Sequence, residues 1–551
     1  MLVVGGGPAG LAAAAELAHR GISCLLVEPR RHVSADRPRA KTTSVRTMEH
    51  FRRWGVADAV RAAAPLHPTW SDSVIFCDAL LGSEITRFTG CFGLAPDGDD
   101  RFAEGGQQVP QPLVERVLRE HVAQQPTVET MFGALLLSLV EEDDGVTAVV
   151  RTEDGQELTV RADYVLGCDG AAGVVRRALG IRYQGRSDDR PNFNLVFRAP
   201  SLSTPLGRAV QYWVVGEHTS GLVGRLDLSG TWWAIAPGVD AELGGKHASQ
   251  IITDLVGAPI EHEVLSTDPW TARMLVAERF RTAQTFLVGE AAHLNPPWGG
   301  HGYNTCVGDA VNLCWKLAAV LQGWGGLALL DTYEAERRPV VTETIASAEA
   351  NMGTLSTDLA ARADRSEQGA LAATIQAGKR AEFHSLGLVL GYTYAGSPVV
   401  QPGPTPERQD ATRYVPTVLP GARLPHTWVG PGQSLYDRLG RGMTLLGPLH
   451  RASPEVTTLQ RRAAELRVPL TVVDAPPDYP WASDFLLVRT GPTHRLEGDL
   501  TGGPRPRSGP GTSVLRCAHV SEYRRKERHD RGSWSPVDHR QRAAVRWRTP
   551  V

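Results

Sequence analysis

Paired cysteine chemistry is the first thing this chain lacks. Its seven cysteines (24, 77, 91, 168, 306, 314 and 517) are scattered and form no C-x-x-C pair. A disulfide scaffold, a zinc site and a dithiol redox centre are therefore unsupported, and no metal ligand set is expected. No uninterrupted apolar run is long enough to span a bilayer. An excess of one charge is missing too: the net charge is -2, which gives no support for nucleic-acid or membrane partners. Lysine is scarce, at 41, 246, 316, 379 and 526 only, while arginine is abundant, a bias that GC-rich codon usage explains. The N-terminus opens directly into M-L-V-V-G-G-G, without a basic segment or cleavage site. The expectation is therefore no signal peptide and a reducing cytoplasmic setting, with the true start a few residues upstream. What remains is an ordinary globular composition, 42% hydrophobic and 21% charged. With 551 residues the chain is too long for one core and should divide into about two to four domains.

The first segment reads as β-α-β. Leu2 to Val4 is a short apolar strand, Gly5-Gly6-Gly7-Pro8-Ala9-Gly10 a turn, and Leu11 to His19 an Ala-rich helix. A second apolar strand, Ile22 to Val27, ends at Glu28. The glycines allow a tight turn and let the helix N-terminus approach a pyrophosphate, whose charge the helix dipole favours. The acid follows at about 20 residues, the spacing at which a carboxylate meets a ribose hydroxyl. Together these features point to a bound dinucleotide.

Further along, Arg39, Lys41, Arg46, Arg52 and Arg53 fall on or near a helix expected from Thr43. They read either as a solvated basic face or, for Arg46, as a group that neutralises a cofactor phosphate. Val109 to Val122 has helical apolar spacing, with Gln111 at its start, either a ligand contact or a plain terminal polar residue. Thr127 to Val160 alternates in strand fashion around an Asp154-Gly155 turn. Tyr164 to Gly170 is a strand ending in Asp169-Gly170, more consistent with a ligand contact than with a plain turn. Between Gly185 and Thr271 alternating segments predict an antiparallel sheet, whose Tyr212, Trp213, Trp232 and Trp233 fill a core or wall a flat substrate.

The stretch F-L-V-G-E-A-A-H-L-N-P-P-W-G-G-H-G-Y-N-T, from Phe286 to Thr305, reads as strand, turn and helix. The strand is expected over Phe286 to Val288, the turn begins at Gly289 and Glu290, and the helix is expected from about Asn304. Pro296 and Pro297 stiffen the wall, while Gly299, Gly300 and Gly302 let backbone approach a large planar ligand. Leu327 to Leu388 is largely helical, 396–420 is Pro/Gly-rich, and a β-α-β-β outline follows to Arg489.

Three motifs in order, G-G-G-P-A-G with Glu28, Asp169-Gly170, and G-E-A-A-H with P-P-W-G-G-H-G-Y-N-T, resemble the group A FAD-dependent aromatic hydroxylases. The likeness extends to about Arg489, and the closer match is to the branch acting on aromatic polyketides and phenols. The resemblance implies an α/β fold: a Rossmann-like, glutathione reductase-like FAD domain, an inserted antiparallel substrate sheet and a C-terminal thioredoxin-like domain. The implied division is 1–182 and 276–395 for the FAD domain, 183–275 for the substrate sheet, 396–420 as linker and 421–490 for the third domain. It also implies that Gly5, Gly7, Pro8, Ala9 and Gly10 face the FAD pyrophosphate and Glu28 the adenosine ribose. Arg46 and Gln111 would help to hold the cofactor, Asp169 would lie near the flavin and the nicotinamide path, and Gly289-Glu290 would contact the ribityl chain. Pro296, Gly299, Gly300 and Asn304 would lie against the ring, and Trp298 with the Trp- and Tyr-bearing sheet would keep the pocket dry, so Pro296 and Trp298 stand beside His301 as catalytic candidates.

Three positions depart from the family pattern. Glu290 replaces the usual Asp, Gly173 the usual small hydroxyl residue, and His301 the usual Gln.

In such enzymes NADPH or NADH reduces FAD, O2 adds at flavin C4a, and the hydroperoxide passes one oxygen to an ionised phenol. No base for the phenol is assignable; His301 is a candidate because imidazole titrates near neutrality, beside the reading of a packed ring. Partners are a small aromatic substrate and O2, with a homo-oligomer allowed. The alternatives are a flavin-binding relative without turnover and a flavin-dependent halogenase. The latter needs a W-x-W-x-I-P barrier that Trp232-Trp233-Ala234-Ile235-Ala236-Pro237 only superficially echoes. Residues 491–551 form an atypical basic tail without apolar periodicity. It reads as disordered or, preferably, as out of frame: GC-rich back-translation of His494 to Glu497, shifted by one base, gives Thr-Ala-Trp-Arg.

Overall fold

The structure, a computed structural model, describes residues 1–34, 40–216, 220–353, 368–404, 410–449, 454–483, 485–489 and 495–496. At its centre is an all-parallel sheet ordered Thr285–Leu287, Val165–Gly167, Leu2–Val4, Cys24–Glu28, Val128–Phe132. Its strands are continuous apolar runs because both faces are covered. Leu2, Val3, Leu25, Leu26, Val165, Leu166 and Leu287 have no exposed surface, and each such side chain contributes about 1.5–3 kcal/mol on burial. The helix Pro8–His19 is buried along most of its length and packs on the helix Gly302–Leu321. The fit is close enough for the Cys314 thiol to donate to the Ala13 carbonyl at 3.7 Å.

A second, eight-stranded sheet runs His293–Leu294, Glu263–Ala277, Tyr183–Arg198, Thr231–Pro237, Ser220–Arg225, Gln211–Val215, Val74–Cys77, Glu84–Phe88. It is larger than the sheet expected between Gly185 and Thr271. Val74–Cys77 and Glu84–Phe88 join it from the first part of the chain, and one pair, Gln211–Val215 with Val74–Cys77, is parallel. Strand alternation sorts its aromatics by face. Tyr212 and Trp232 pack with Phe193, Phe197 and the helix Ala241–Val256 on one side. Trp213 and Trp233 pack on the other, with Met274 and with Trp298 from the proline-glycine loop.

Several element ends differ from the sequence reading for local reasons. The helix expected from Thr43 starts at Val45, because Ser44 caps it by accepting from the Thr47 N–H at 3.3 Å. Thr42–Thr43 instead pairs with Gln107–Gln108. Of the stretch 127–160, Val128–Phe132 belongs to the parallel sheet. Only Leu135–Glu142, Gly145–Arg151 and Glu157–Ala162 form the antiparallel meander. The strand expected at Phe286 to Val288 is Thr285–Leu287, and the helix after it begins at Gly302.

Toward the C-terminus, Met443–Gly447 and Leu470–Asp474 pair in parallel across the helix Pro454–Glu465, and Leu486–Val488 pairs antiparallel. The tail reading falls outside the described residues, apart from Arg495–Leu496, which pairs with Leu487 and Val488. No described helix is long and apolar enough to cross a membrane. The fold is mixed α/β around a parallel sheet.

Candidate active site

Four neighbouring parallel strands deliver the sequence motifs to one edge. Val4 runs into the glycine turn, Val27 into Glu28, Gly167 into Cys168-Asp169 and Leu287 into Gly289-Glu290. Carboxyl ends of parallel strands are where open α/β sheets bind ligands, since the chain must turn there and helix N-termini converge.

The turn is tightly built. Gly5, at φ 106°, donates its N–H to the Val27 carbonyl at 2.8 Å. A β-carbon there would stand 2.4 Å from the Cys168 carbonyl oxygen, so only glycine fits. Gly7 is the N-cap of the Pro8–His19 helix, with no side-chain cap and no acid in the first turn. Nothing lies within 4 Å of the space a Gly7 β-carbon would take. Pro8 brings no N–H, leaving the N–H groups of Ala9 and Gly10 facing that space, a cradle suited to phosphate. Glu28 is buried; one oxygen accepts from Gly6 N–H at 2.6 Å and the other from Arg30 Nε at 2.6 Å. Arg119 stands 3.9 Å away, so the acid keeps lone pairs within a basic surround.

Asp169 Oδ2 accepts from the Val175 N–H at 2.9 Å, while buried Oδ1 has no hydrogen-bond partner. Burial raises the pKa of this carboxyl. Gly173 presses on it, since a β-carbon there would sit 2.2 Å from Oδ1. Glu290 is exposed, and its carboxylate comes within 3.9 Å of the position of a Gly170 β-carbon, which brings the second and third motifs side by side. Tyr183 fixes the Glu290 backbone by donating to its carbonyl at 2.5 Å.

The proline-glycine loop is pinned from three directions. Asn304 accepts from Ser44 N–H at 2.9 Å and donates to the Thr42 and Gly300 carbonyls at 3.2 and 2.8 Å. Tyr303 and Thr43 join their hydroxyls beneath it. Glu382, on the helix Gln368–Phe383, lies near enough to the Gly299 backbone for it to favour the carboxylate, and pairs with Lys379 at 2.9 Å. Burial raises the Glu382 pKa and lowers that of Lys379. Pro296 is buried and Trp298 turns toward the sheet, its ring 5.8 Å from that of Trp270. His301 is buried with Nε2 unpartnered, and burial takes its pKa down to about 4.

Not every candidate reaches this edge with a free side chain. The basic helix is not solvated. Arg46 is buried with Nη1 3.0 Å from Glu49, which also holds Arg423, while its Nε and Nη2 have no hydrogen-bond partner. The Asn304 amide is spent on the loop itself. Gln111 donates to Glu115 at 2.8 Å, with its own N–H on the Ala40 carbonyl. The sequence pattern does not single out Arg30 and Arg119 beside Glu28 or the Glu382–Lys379 pair, and it places Lys41 only in the basic stretch, whereas its ammonium lies 3.3 Å from the centroid of Trp233. Arg119 and Lys41 lie on elements apart from Glu28 and Trp233, so no local spacing links them, whereas Arg30 lies two residues from Glu28 and Lys379 three from Glu382.

The site fits a flavin dinucleotide in its phosphate cradle, its buried acid Glu28 and the orphaned Asp169 oxygen. Residues 1–348 match the family described as FAD binding domain. The chain is 31% identical over 521 residues to the 2,4-dichlorophenol 6-monooxygenase of Delftia acidovorans, across 86% of this chain and 88% of that protein. It is 32% identical over 479 residues to aklavinone 12-hydroxylase DnrF of Streptomyces peucetius, across 83% and 91%. The crystal structure of the flavin-dependent monooxygenase PieE in complex with FAD and substrate is similar at a TM-score of 0.80 and 30% identity. That match covers 90% of this chain and 96% of that one.

Proposed function

The chain belongs to the FAD binding domain family as an FAD-dependent aromatic hydroxylase, and we propose that it adds one oxygen atom from O2 to a multi-ring phenol of the aromatic polyketide kind. The observation that carries the substrate class is the sheet face bearing Trp213, Trp233 and Met274, closed over by Trp298. Flat apolar walls of that breadth suit fused rings better than a single small phenol.

When bound, FAD supplies reduction by NADPH or NADH and activation of O2. The protein's part is position and exclusion. Gly5, Gly7, Pro8, Ala9 and Gly10 hold the pyrophosphate at the helix N-terminus, and Glu28 accepts from the adenosine ribose. Asp169 and Glu290, brought together on adjacent strand ends, accept from the ribityl hydroxyls. Pro296, Gly299 and Gly300 present backbone to the flavin ring, and Trp298 with the sheet tryptophans keeps water from it. Arg46, Gln111 and Asn304 act through their neighbours, by fixing Glu49, Glu115 and the loop. His301 backs the loop as a neutral ring; a group with a pKa near 4 is poorly matched to taking a phenol proton at neutral pH.

On this proposal the flavin unit is 1–182 and 276–395, the substrate sheet 183–275, and 421–490 a thioredoxin-like support. The substrate sheet also draws in Val74–Cys77 and Glu84–Phe88.

Purified protein should be yellow with FAD and should consume NADPH faster when a phenol it accepts is present, giving a product heavier by one oxygen. Flavin content without any phenol-stimulated consumption would leave only a binding protein. Glu290→Ala should cost FAD occupancy, while Glu290→Asp, which keeps the carboxylate, should retain most of it.

A further inference from the structure

Of the four lysines among the described residues, three are ion-paired. Lys246 meets Glu242 at 2.6 Å, Lys316 meets Glu336 at 2.8 Å and Lys379 meets Glu382 at 2.9 Å. Lys41 has no carboxylate partner among those residues; its ammonium lies over the Trp233 ring, 3.3 Å from the centroid. Protein surrounds the ammonium, yet the residue is only half-buried. The ring face offsets part of the cost of the charge, and an unpaired cation in such a place is stabilised further by any anion brought to it.

The position of Lys41 says which anion. The next residue, Thr42, gives its carbonyl to Asn304, and its hydroxyl stands 2.7 Å from where a Gly300 β-carbon would be. Lys41 therefore sits at the seam between the loop proposed to face the flavin ring and the aromatic sheet face proposed to hold the substrate. Among the described residues, the loop and this face also carry His301, unpartnered at Nε2, the Glu382–Lys379 pair, which is internally neutralised, the Cys91 thiol, whose pKa burial raises, and Asp268, which strand alternation puts on the Trp270 side.

We propose that Lys41 recognises the substrate phenol as its phenolate, pairing an ammonium with the ring oxygen; this rests on the aromatic hydroxylase reading above. In the bound state the phenol O–H bond is broken. The proton resides on Lys41 Nζ when the amine enters neutral, or leaves to solvent when it enters charged. Burial lowers the Lys41 pKa to about 7, so both routes are open near neutrality. The ionised ring is the electron-rich form that accepts oxygen.

The test uses FAD-loaded enzyme and 4-nitrophenol, whose phenolate absorbs visibly where the phenol does not, with 4-nitroanisole as the ligand that cannot ionise. Wild-type enzyme should bind 4-nitrophenol as phenolate at a pH where the free probe is largely protonated, and should prefer it to 4-nitroanisole. Lys41→Met should keep its FAD, lose that preference by about tenfold or more, the scale of one hydrogen bond to a charged group, and hold the probe protonated. Lys41→Arg should keep the phenolate spectrum. If wild-type enzyme binds the probe without lowering its ionisation midpoint, the assignment is overturned whatever the variants do. It is equally overturned if Lys41→Met retains both FAD and the preference. A wild-type protein that takes up no FAD, or no phenol at all, would instead sink the hydroxylase reading itself.

Discussion

Arg489 closes on Glu336 through two parallel hydrogen bonds, Nη1 to Oε1 at 2.8 Å and Nη2 to Oε2 at 2.9 Å, with both side chains buried. The same carboxylate takes Lys316 Nζ at 2.8 Å and Asn312 Nδ2 at 2.7 Å. Arg489 directly follows the strand Leu486–Val488, and Glu336 lies on the helix Thr332–Gly353, so the contact joins the C-terminal sheet to the helices behind the parallel sheet.

Arg489→Ala should therefore lower the thermal unfolding midpoint sharply, since breaking a buried pair from one side costs about 3–5 kcal/mol. Burial alone would raise the Glu336 pKa, but Arg489 and Lys316 hold it well below the carboxylate range. A depressed folded pKa gives stability that is present above the unfolded value and lost as pH falls through the folded one. The gap between wild type and variant should be widest at neutral pH and should close in strong acid. A gap that did not change with pH would mean that the loss is one of packing, not charge.

Gly173→Ala tests how rigidly Asp169 is held. The added carbon would sit 2.2 Å from Oδ1 and 2.4 Å from Cγ, so the carboxyl must leave the Val175 N–H. Overpacking of this kind costs about 1–3 kcal/mol. If Asp169 helps to seat the cofactor, flavin affinity should fall by about tenfold or more. Release of FAD on dilution, followed by its fluorescence, reads this directly; unchanged release would remove Asp169 from the flavin's polar contacts.

His301 makes a pH prediction of opposite sense to a catalytic base. With a folded pKa near 4 against an ordinary 6.5, the unfolded chain binds the extra proton between those values. Stability should therefore fall as pH drops through that window, by up to roughly 3 kcal/mol from this group. His301→Gln removes the effect, so the variant should lose less stability than wild type between neutral and acid pH. Its profile of kcat against pH should keep the wild-type shape above pH ~5. A lost acidic limb in the variant would restore His301 as the proton acceptor.

The legible parts of this site were those written at fixed offsets within one strand-turn-helix unit. Gly5 to Gly10, Glu28, Asp169-Gly170 and the Gly289 to Asn304 stretch all announced themselves because backbone sterics demand glycine, proline or an acid at set distances. What could not be read was which side chains neutralise one another across elements. Glu49, which takes Arg46 one helical turn away, also takes Arg423, and Lys41 faces Trp233, through contacts between segments far apart in sequence. The recruitment of Val74–Cys77 to the second sheet was hidden for a similar reason: V-I-F-C is buried on both faces and carries no alternation to mark it.

Glu382 offers the last test, of whether the loop must be held still. Its carboxylate lies near the Gly299 N–H, which favours its charged form, while neutralising Lys379, whose ammonium lies 4.4 Å from the Trp213 ring centroid. Glu382→Ala removes both contacts and leaves Lys379 unpaired beside the aromatic face, whereas Glu382→Gln keeps an acceptor for the Gly299 N–H and loses only the charge. A loop freed at Gly299 would admit water to the flavin ring, where activated oxygen escapes as peroxide instead of reaching the phenol. The Ala variant should thus release several times more peroxide per NADPH consumed than wild type, with FAD still bound. If the loop anchor is what matters, the Gln variant should stay close to wild type. If Gln uncouples as badly as Ala, the charge balance with Lys379 is the governing feature. Equal coupling in all three proteins would show that the Gly299 contact does not guard the ring.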